Sequence, residues 1–284
     1  MPSNNVLYIK NIIKNNPRFK HAILEHYEIG AEMYKQQPFF YKWILRESRF
    51  NIVTSIYCFI FSNRIDSIGE LKSICSKYRI ASPNSVTSIM NTLRTAERIK
   101  TWRCSEDRRK TIITLTPKGV EEFKNYMSCA LLPINTLFPN AKVSIKLLDD
   151  DIKLHDFFYR VADCITLGVT FKKLLPELEL FIDKDGGRMI MLYLYLDAIR
   201  KINLRGSMID FSPNALATEF SVSRIHVNHI IKSAQDHGYL ERINDGQLIV
   251  NNTFIDLVED YIALYFAYVT HYINVIPKND DLLA

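Results

Sequence analysis

Glycine and proline are scarce in this 284-residue chain, at nine and ten residues. That excludes collagen-like repeats and long low-complexity linkers. Cysteine is scarcer still. The five present (Cys58, Cys75, Cys104, Cys129 and Cys164) are an odd number with no Cys-x-x-Cys pair, which excludes a disulfide frame and the usual zinc spacings. There is no apolar run near the roughly 20 residues that a membrane span needs. The most apolar stretches, 52–61 and 190–196, are shorter and read as buried helices. Near the N-terminus, residues 6–13 are interrupted by Lys10 and Asn11, so no secretion signal is read there and a cytoplasmic chain is expected. Phosphate loop, dinucleotide fingerprint and nucleophile elbow are all missing. Carboxylates cluster only at Asp149, Asp150 and Asp151; three consecutive side chains cannot converge from one helix, and they read as a helix cap. No enzyme, cofactor or metal centre is expected.

What is present is an ordinary globular composition, 48% hydrophobic and 24% charged, long enough for two domains. The net charge of +5 suits nucleic acid without requiring it. The basic residues are unevenly placed: Arg98, Lys100, Arg103, Arg108, Arg109 and Lys110 fall within thirteen positions. They lie in the stretch 82–118, around which the chain is organised. Ser82 and Pro83 read as N-cap and first residue of a helix. Val86, Ile89, Met90 and Leu93 then follow at helical spacing on one face. The opposite face carries Asn84, Ser85, Thr87, Ser88, Asn91, Thr92 and Thr95, short hydrogen-bonding residues that suit, with Ser82 at the cap, the edges of bases in a major groove. Two strand-like runs, 99–104 and 111–115, flank a basic tip, and a further helix starts at Pro117. A shorter helix, 68–77, precedes the whole through a tight connection at 78–81.

The string from Ser105 to Gly119, SEDRRKTIITLTPKG, resembles the wing and following helix of the MarR-type regulators. The likeness extends over roughly residues 40–130. It implies a winged helix-turn-helix with interface helices on both sides. It also implies that Asp107 braces the wing and that Arg109, with Arg103, Arg108 and Lys110 beside it, enters the minor groove. Many members of that family take a small aromatic acid between the winged domain and the interface helices. The resemblance puts such an effector near Phe39, Phe40, Tyr41 and Trp43.

The second half repeats the first. Ile74, Tyr78 and Ile80 match Leu216, Phe220 and Val222 at an offset of 142, and Ser82, Val86, Ile89 and Ile99 match Ser223, Val227, Ile230 and Leu240 at 141. The pattern reads as an internal duplication. The second reading helix, 222–237, offers Ser223, Arg224, His226, Asn228, His229 and Lys232. His226 and His229 stand three apart but have no third ligand at a sensible spacing, so base or phosphate contact is the better reading. The second hairpin turns at Asn244-Asp245-Gly246-Gln247, a type I′ signal, and has no basic tip. Around these elements, helices are expected over 6–15, 19–35, 39–45, 50–62, 117–132 (ending near Pro133), 154–175, 189–202 and 254–275. The aromatic stripe of the last, Tyr261, Tyr265, Phe266, Tyr268 and Tyr272, reads as a helix–helix interface.

The expectation is a mainly α protein with small β-hairpin wings, built of two tandem winged helix-turn-helix domains over 1–140 and 141–284. Recognition helices at 82–96 and 222–237 and a wing at 103–111 make it a DNA-binding transcription regulator. It would act as a single-chain pseudo-dimer, as in the two-domain Sar-type regulators, or as a homodimer. The partners expected are double-stranded operator DNA and a small aromatic effector, with no membrane. Two other readings stay open: a plasmid-type replication initiator, and a regulator whose second domain docks a protein.

Overall fold

Hydroxyl caps fix where the last three helices of the first half begin. The computed structural model describes residues 2–139, 150–167, 170–201 and 207–273. Helices α1 (Pro2–Lys14), α2 (Phe19–Gln36), α3 (Pro38–Ile44) and α4 (Glu47–Phe61) lead into α5 (Ile68–Lys77) and α6 (Pro83–Thr95). The Ser67 hydroxyl accepts from the Glu70 amide at the start of α5, and Ser82 accepts from Ser85 at the start of α6. Strands β1 (Ile99–Arg103) and β2 (Thr111–Leu115) then pair antiparallel, and Thr116 caps α7 (Pro117–Leu137).

The second half holds α8 (Asp151–Thr166), the one-turn helices α9 (Phe171–Leu174) and α10 (Glu179–Ile182), and α11 (Gly187–Arg200). Strand β3 (Ser207–Asp210), α12 (Pro213–Glu219), α13 (Arg224–Asp236), β4 (Leu240–Asn244), β5 (Gln247–Val250) and α14 (Asn252–Tyr272) complete it. The described residues are mainly helical with two small antiparallel sheets among them, one of two strands and one ordered β3-β5-β4. Strand β3 was not foreseen. Its counterpart in the first half is a single bridge, Ser67 to Ile112.

The backbone repeats as the side chains do. Arg79 and Ser221, 142 apart, both have positive φ in the turn between the two helices, and so do Glu97 and Gly238, 141 apart, at the end of the second helix. Matching turn bonds accompany them. Ile80 N donates to Cys75 O at 2.9 Å and Val222 N to Ala217 O at 3.0 Å; Arg98 N donates to Leu93 O at 2.8 Å and Tyr239 N to Ala234 O at 2.9 Å. Thr116 N to Arg98 O and Asn251 N to Tyr239 O, both 3.0 Å, then launch α7 and α14, each 21 residues long.

Three expectations need correction. Helix α7 runs through Pro133 to Leu137 instead of ending there. A helical proline leaves the carbonyl four residues earlier without its amide donor, and His26 Nδ1 lies 2.7 Å from that carbonyl, Cys129 O. Helix α8 stops at Thr166, where the Thr166 hydroxyl turns back to Asp163 O, and does not reach 175. The 244–247 turn is not type I′, because neither Asp245 nor Gly246 has positive φ. A register shift between Arg242 and Asn244 and an Asn244 Oδ1 contact to Gly246 N close it instead. The acidic run caps its helix as expected, through Asp150, which accepts from the Ile152 and Lys153 amides; Asp149 lies outside the described residues.

Packing crosses between the halves. Helix α1 lies along α14, and α8 lies along α4. The stripe on α14 is an interface, as expected: Phe171 meets Tyr261 and Tyr268 edge-on, and Tyr265 and Phe266 close around His26. Phe158 of α8 stacks on Phe61 of α4 at 4.5 Å. The seam also buries an ion pair, Arg188 of α11 with Glu47 of α4, and the Arg188 guanidinium donates to the Tyr261 hydroxyl at 2.6 Å. Cys58, Cys75, Cys129 and Cys164 are buried thiols.

Two outcomes follow from this seam. Glu47→Gln, which leaves a buried guanidinium without its counter-charge, is expected to cost about 3–5 kcal/mol. Glu47→Gln with Arg188→Met should cost less than Glu47→Gln alone in a denaturant titration. Burial pushes the His26 imidazole down from 6.5 to about 4, so the unfolded chain binds the extra proton first as pH falls. Wild-type stability should therefore decline between pH 6.5 and 4 more steeply than that of His26→Gln, measured as urea midpoints across that window.

Candidate nucleic-acid interface

Helix α6 places its four apolar residues, Val86, Ile89, Met90 and Leu93, in the core. That orientation leaves Ser82, Asn84, Ser85, Ser88 and Asn91 exposed on the other side. Not all of the predicted face is equally available. The Thr87 hydroxyl is half-buried and donates back to Pro83 O at 2.8 Å, Ser82 and Ser85 share a hydroxyl contact at 2.9 Å, and Asn91 Oδ1 accepts from Arg94. Asn84 and Ser88 are the exposed pair with no such internal partner among the described residues.

The first hairpin tip is built by its aspartate. Asp107 Oδ1 accepts from the Arg109 amide at 2.9 Å, Asp107 O accepts from Lys110 N, and Cys104 N donates to Lys110 O. Arg103 donates to Arg108 O at 3.2 Å. This Asx-type turn holds three exposed arginines, Arg103, Arg108 and Arg109, on a short ribbon. The guanidinium of Arg109 has no hydrogen bond or ion pair among the described residues.

Two members of the basic cluster do other work. Arg98 is buried, bonded to Glu122 at 2.6 Å and lying under the Phe40 ring, where it ties β1 to α7. Lys110 bridges to Asp66 at 2.7 Å and approaches Glu70 at 3.7 Å. Their hydrogen bond holds the Asp66 carboxyl below its ordinary value and the Lys110 ammonium above its own. Lys110 therefore anchors the base of the hairpin to α5. The pairings lie 44 and 40 positions back, beyond any spacing rule.

On α13, Ser223, Arg224, His229 and Lys232 are exposed. His226 is turned inward, its Nε2 donating to Asp185 O at 2.9 Å, and Asn228 Oδ1 accepts from Arg242 at 3.4 Å. Lys232 stands 3.6 Å from Asp236, a surface pair of little strength. The β4–β5 connection is six residues shorter than the β1–β2 one, measured from Ile99 to Thr116 and from Leu240 to Asn251, and it carries Asp245 where the first carries arginines.

The junction aromatics have separate surroundings, Tyr41 lining a groove between α2 and α7 and Phe39 a shallow one beside Thr218 and Val222. Phe39 is 73% exposed beneath the Lys42 ammonium, Trp43 lies under Arg49, and Tyr41 donates to Glu122. A cavity of about 130 Å³ opens elsewhere, between α4, α7, α8 and α14, walled by Phe50, Phe123, Phe157, Tyr126 and Tyr268 among others. The Tyr268 hydroxyl at its wall is buried with no hydrogen-bond partner among the described residues. On another face, the groove between α2 and α7, of about 680 Å³, carries Glu28, Glu32, Glu121 and Glu122. That surface repels a polyanion. No group of three or more metal-ligating side chains converges among the described residues, and no described helix is long and apolar enough to cross a membrane.

An unpaired buried hydroxyl forfeits its bonds to water. Tyr268→Phe should accordingly raise stability by about 1 kcal/mol in chemical unfolding; a loss of that size would mean the hydroxyl has a partner in solution. In comparisons with known proteins, no family model matches the chain and no curated protein matches it.

Proposed function

We propose that this chain is a sequence-specific DNA-binding regulator of transcription, formed of two tandem winged helix-turn-helix units and acting as a single-chain pseudo-dimer in the cytoplasm. The observation that carries the reading is the arginine-tipped hairpin braced by Asp107 next to the uncharged, hydrogen-bonding face of α6. A helix of that width and chemistry suits a major groove, and free guanidinium groups on a slim ribbon suit the negative, narrow minor groove. The repeat of the same turn geometry 141–142 residues later supports taking α13 as a second reading helix. Because Arg224, His229 and Lys232 replace the Ser–Asn face of α6, the two half-sites differ.

An effector, where one acts, belongs in the cavity among α4, α7, α8 and α14. Its walls come from both halves, so an occupant bears on their relative placement. Its size suits one aromatic ring: an engineered cavity of about 150 Å³ takes up benzene.

The short second hairpin without arginines favours one further reading, in which the second unit docks a protein and the first alone holds DNA. A replication initiator would share the interface and differ in its target, repeated origin sequences.

Binding to genomic fragments, the chain's own promoter included, at two salt concentrations tests all of these. The expected result is a specific complex that weakens steeply with salt. Arg109→Ala should weaken it about five- to a hundredfold, and Arg224→Ala with Lys232→Ala should reduce the salt slope by about 2. Unchanged affinity in the Arg224/Lys232 variant moves the second unit to a protein partner. No specific complex at low salt removes the regulator reading.

A further inference from the structure

Helix α13 exposes an isoleucine that its own packing does not use. Ile225, the second residue of the helix, is 68% exposed. The buried face is already filled by Val227, Ile230, Ile231 and Ala234. A β-branched residue is also a poorer helix former than glutamate, glutamine, lysine or arginine, and the capping work is done by Ser223, which accepts from His226 N at 3.1 Å. The matching position on α6, 141 residues earlier, holds Asn84, exposed and polar.

The tip that carries Ile225 is held in place. His226, next in sequence, is bonded to Asp185 O, and Asp185 is in turn ion-paired with Arg49 at 3.1 Å. Tyr34 donates to Phe220 O at 2.9 Å and Lys42 to Ser221 O at 2.6 Å in the turn just before the helix. Ile225 therefore stands at a fixed place at the N-terminal end of α13, between exposed Arg224 and, one turn on, exposed His229. In helix-turn-helix readers that end meets the base edges. The one apolar group a base pair presents in the major groove is the C5 methyl of thymine.

We propose that Ile225 is a specificity residue that packs on a thymine methyl in the half-site under α13. The inference rests on the DNA-binding reading above and names what one side chain reads. At the corresponding place under α6, Asn84 offers an amide for a hydrogen bond instead, so the two half-sites diverge at that position.

The test selects bound duplexes from a random-sequence 30-mer pool with the full chain, then replaces each thymine of the selected half-sites singly by deoxyuridine. One thymine, in one half-site, should weaken binding about fourfold when its methyl is removed, the equivalent of about 0.8 kcal/mol per buried methyl. Ile225→Ala should abolish the thymine–uracil difference at that position and leave the other positions unchanged. Ile225→Asn should change the preferred base there in a repeated selection. Specific binding in which every thymine-to-uracil exchange is neutral, or in which Ile225→Ala keeps the difference, overturns the proposal while the regulator reading stands. A pool with no enriched sequence overturns both.

Discussion

Moving a guanidinium out of water costs several kcal/mol unless its charge is met at close range. Among the described residues Arg188 is met by groups from distant parts of the chain: the Glu47 carboxylate, the Tyr261 hydroxyl and ring, and the Phe50 ring. That requirement fixes the first turn of α4 against the start of α11. The neighbouring residues of the same turn use the register it sets, Arg46 reaching Asp183 and Arg49 reaching Asp185. The carbonyl of Asp185 then accepts from His226 on α13. A buried charge in the seam is thus connected, through four residues, to the exposed helix of the second half. The hydrophobic contacts around it supply most of the stability, but they do not specify register as tightly as one charge that has to be matched.

The two halves share turn geometry and differ in what they expose. In the first, the Asp107 carboxylate shapes a tip of arginines, and Lys110 anchors the hairpin to Asp66, just before α5, and to Glu70 within it. In the second the hairpin is cut short, a third strand is added at β3, and the polar side chains gather on the helix instead. Strand β3 pairs four residues with β5 where the first half has one bridge. The second sheet is the broader of the two, and its connection projects less.

Local chemistry made much of this readable in the sequence. A serine cap followed by proline marked α6, Pro117 marked the start of α7, and the helical spacing of Val86, Ile89, Met90 and Leu93 gave the buried face of α6. What escaped was settled by contacts between distant residues. Pro133 looked like a helix end because nothing near it in sequence shows that His26 lies at Cys129 O. Arg98 and Lys110 looked like members of a basic patch because Glu122 and Asp66 lie 24 and 44 positions away. His226 looked like a reader for the same reason. Type I′ geometry at 244–247 failed because a register shift in β4 replaced the positive φ values that such a turn needs.

The crossing of α1 onto α14 and of α8 onto α4 also bears on dilution. In an assembly of two separate subunits a seam like this forms only above some concentration, and its occupancy follows protein copy number. Here both sides of the seam belong to one polypeptide, so the second half is present at an effective concentration set by the chain itself. The pairing survives at any abundance. It also frees each half to change alone, since a substitution on one side is no longer copied onto the other by symmetry.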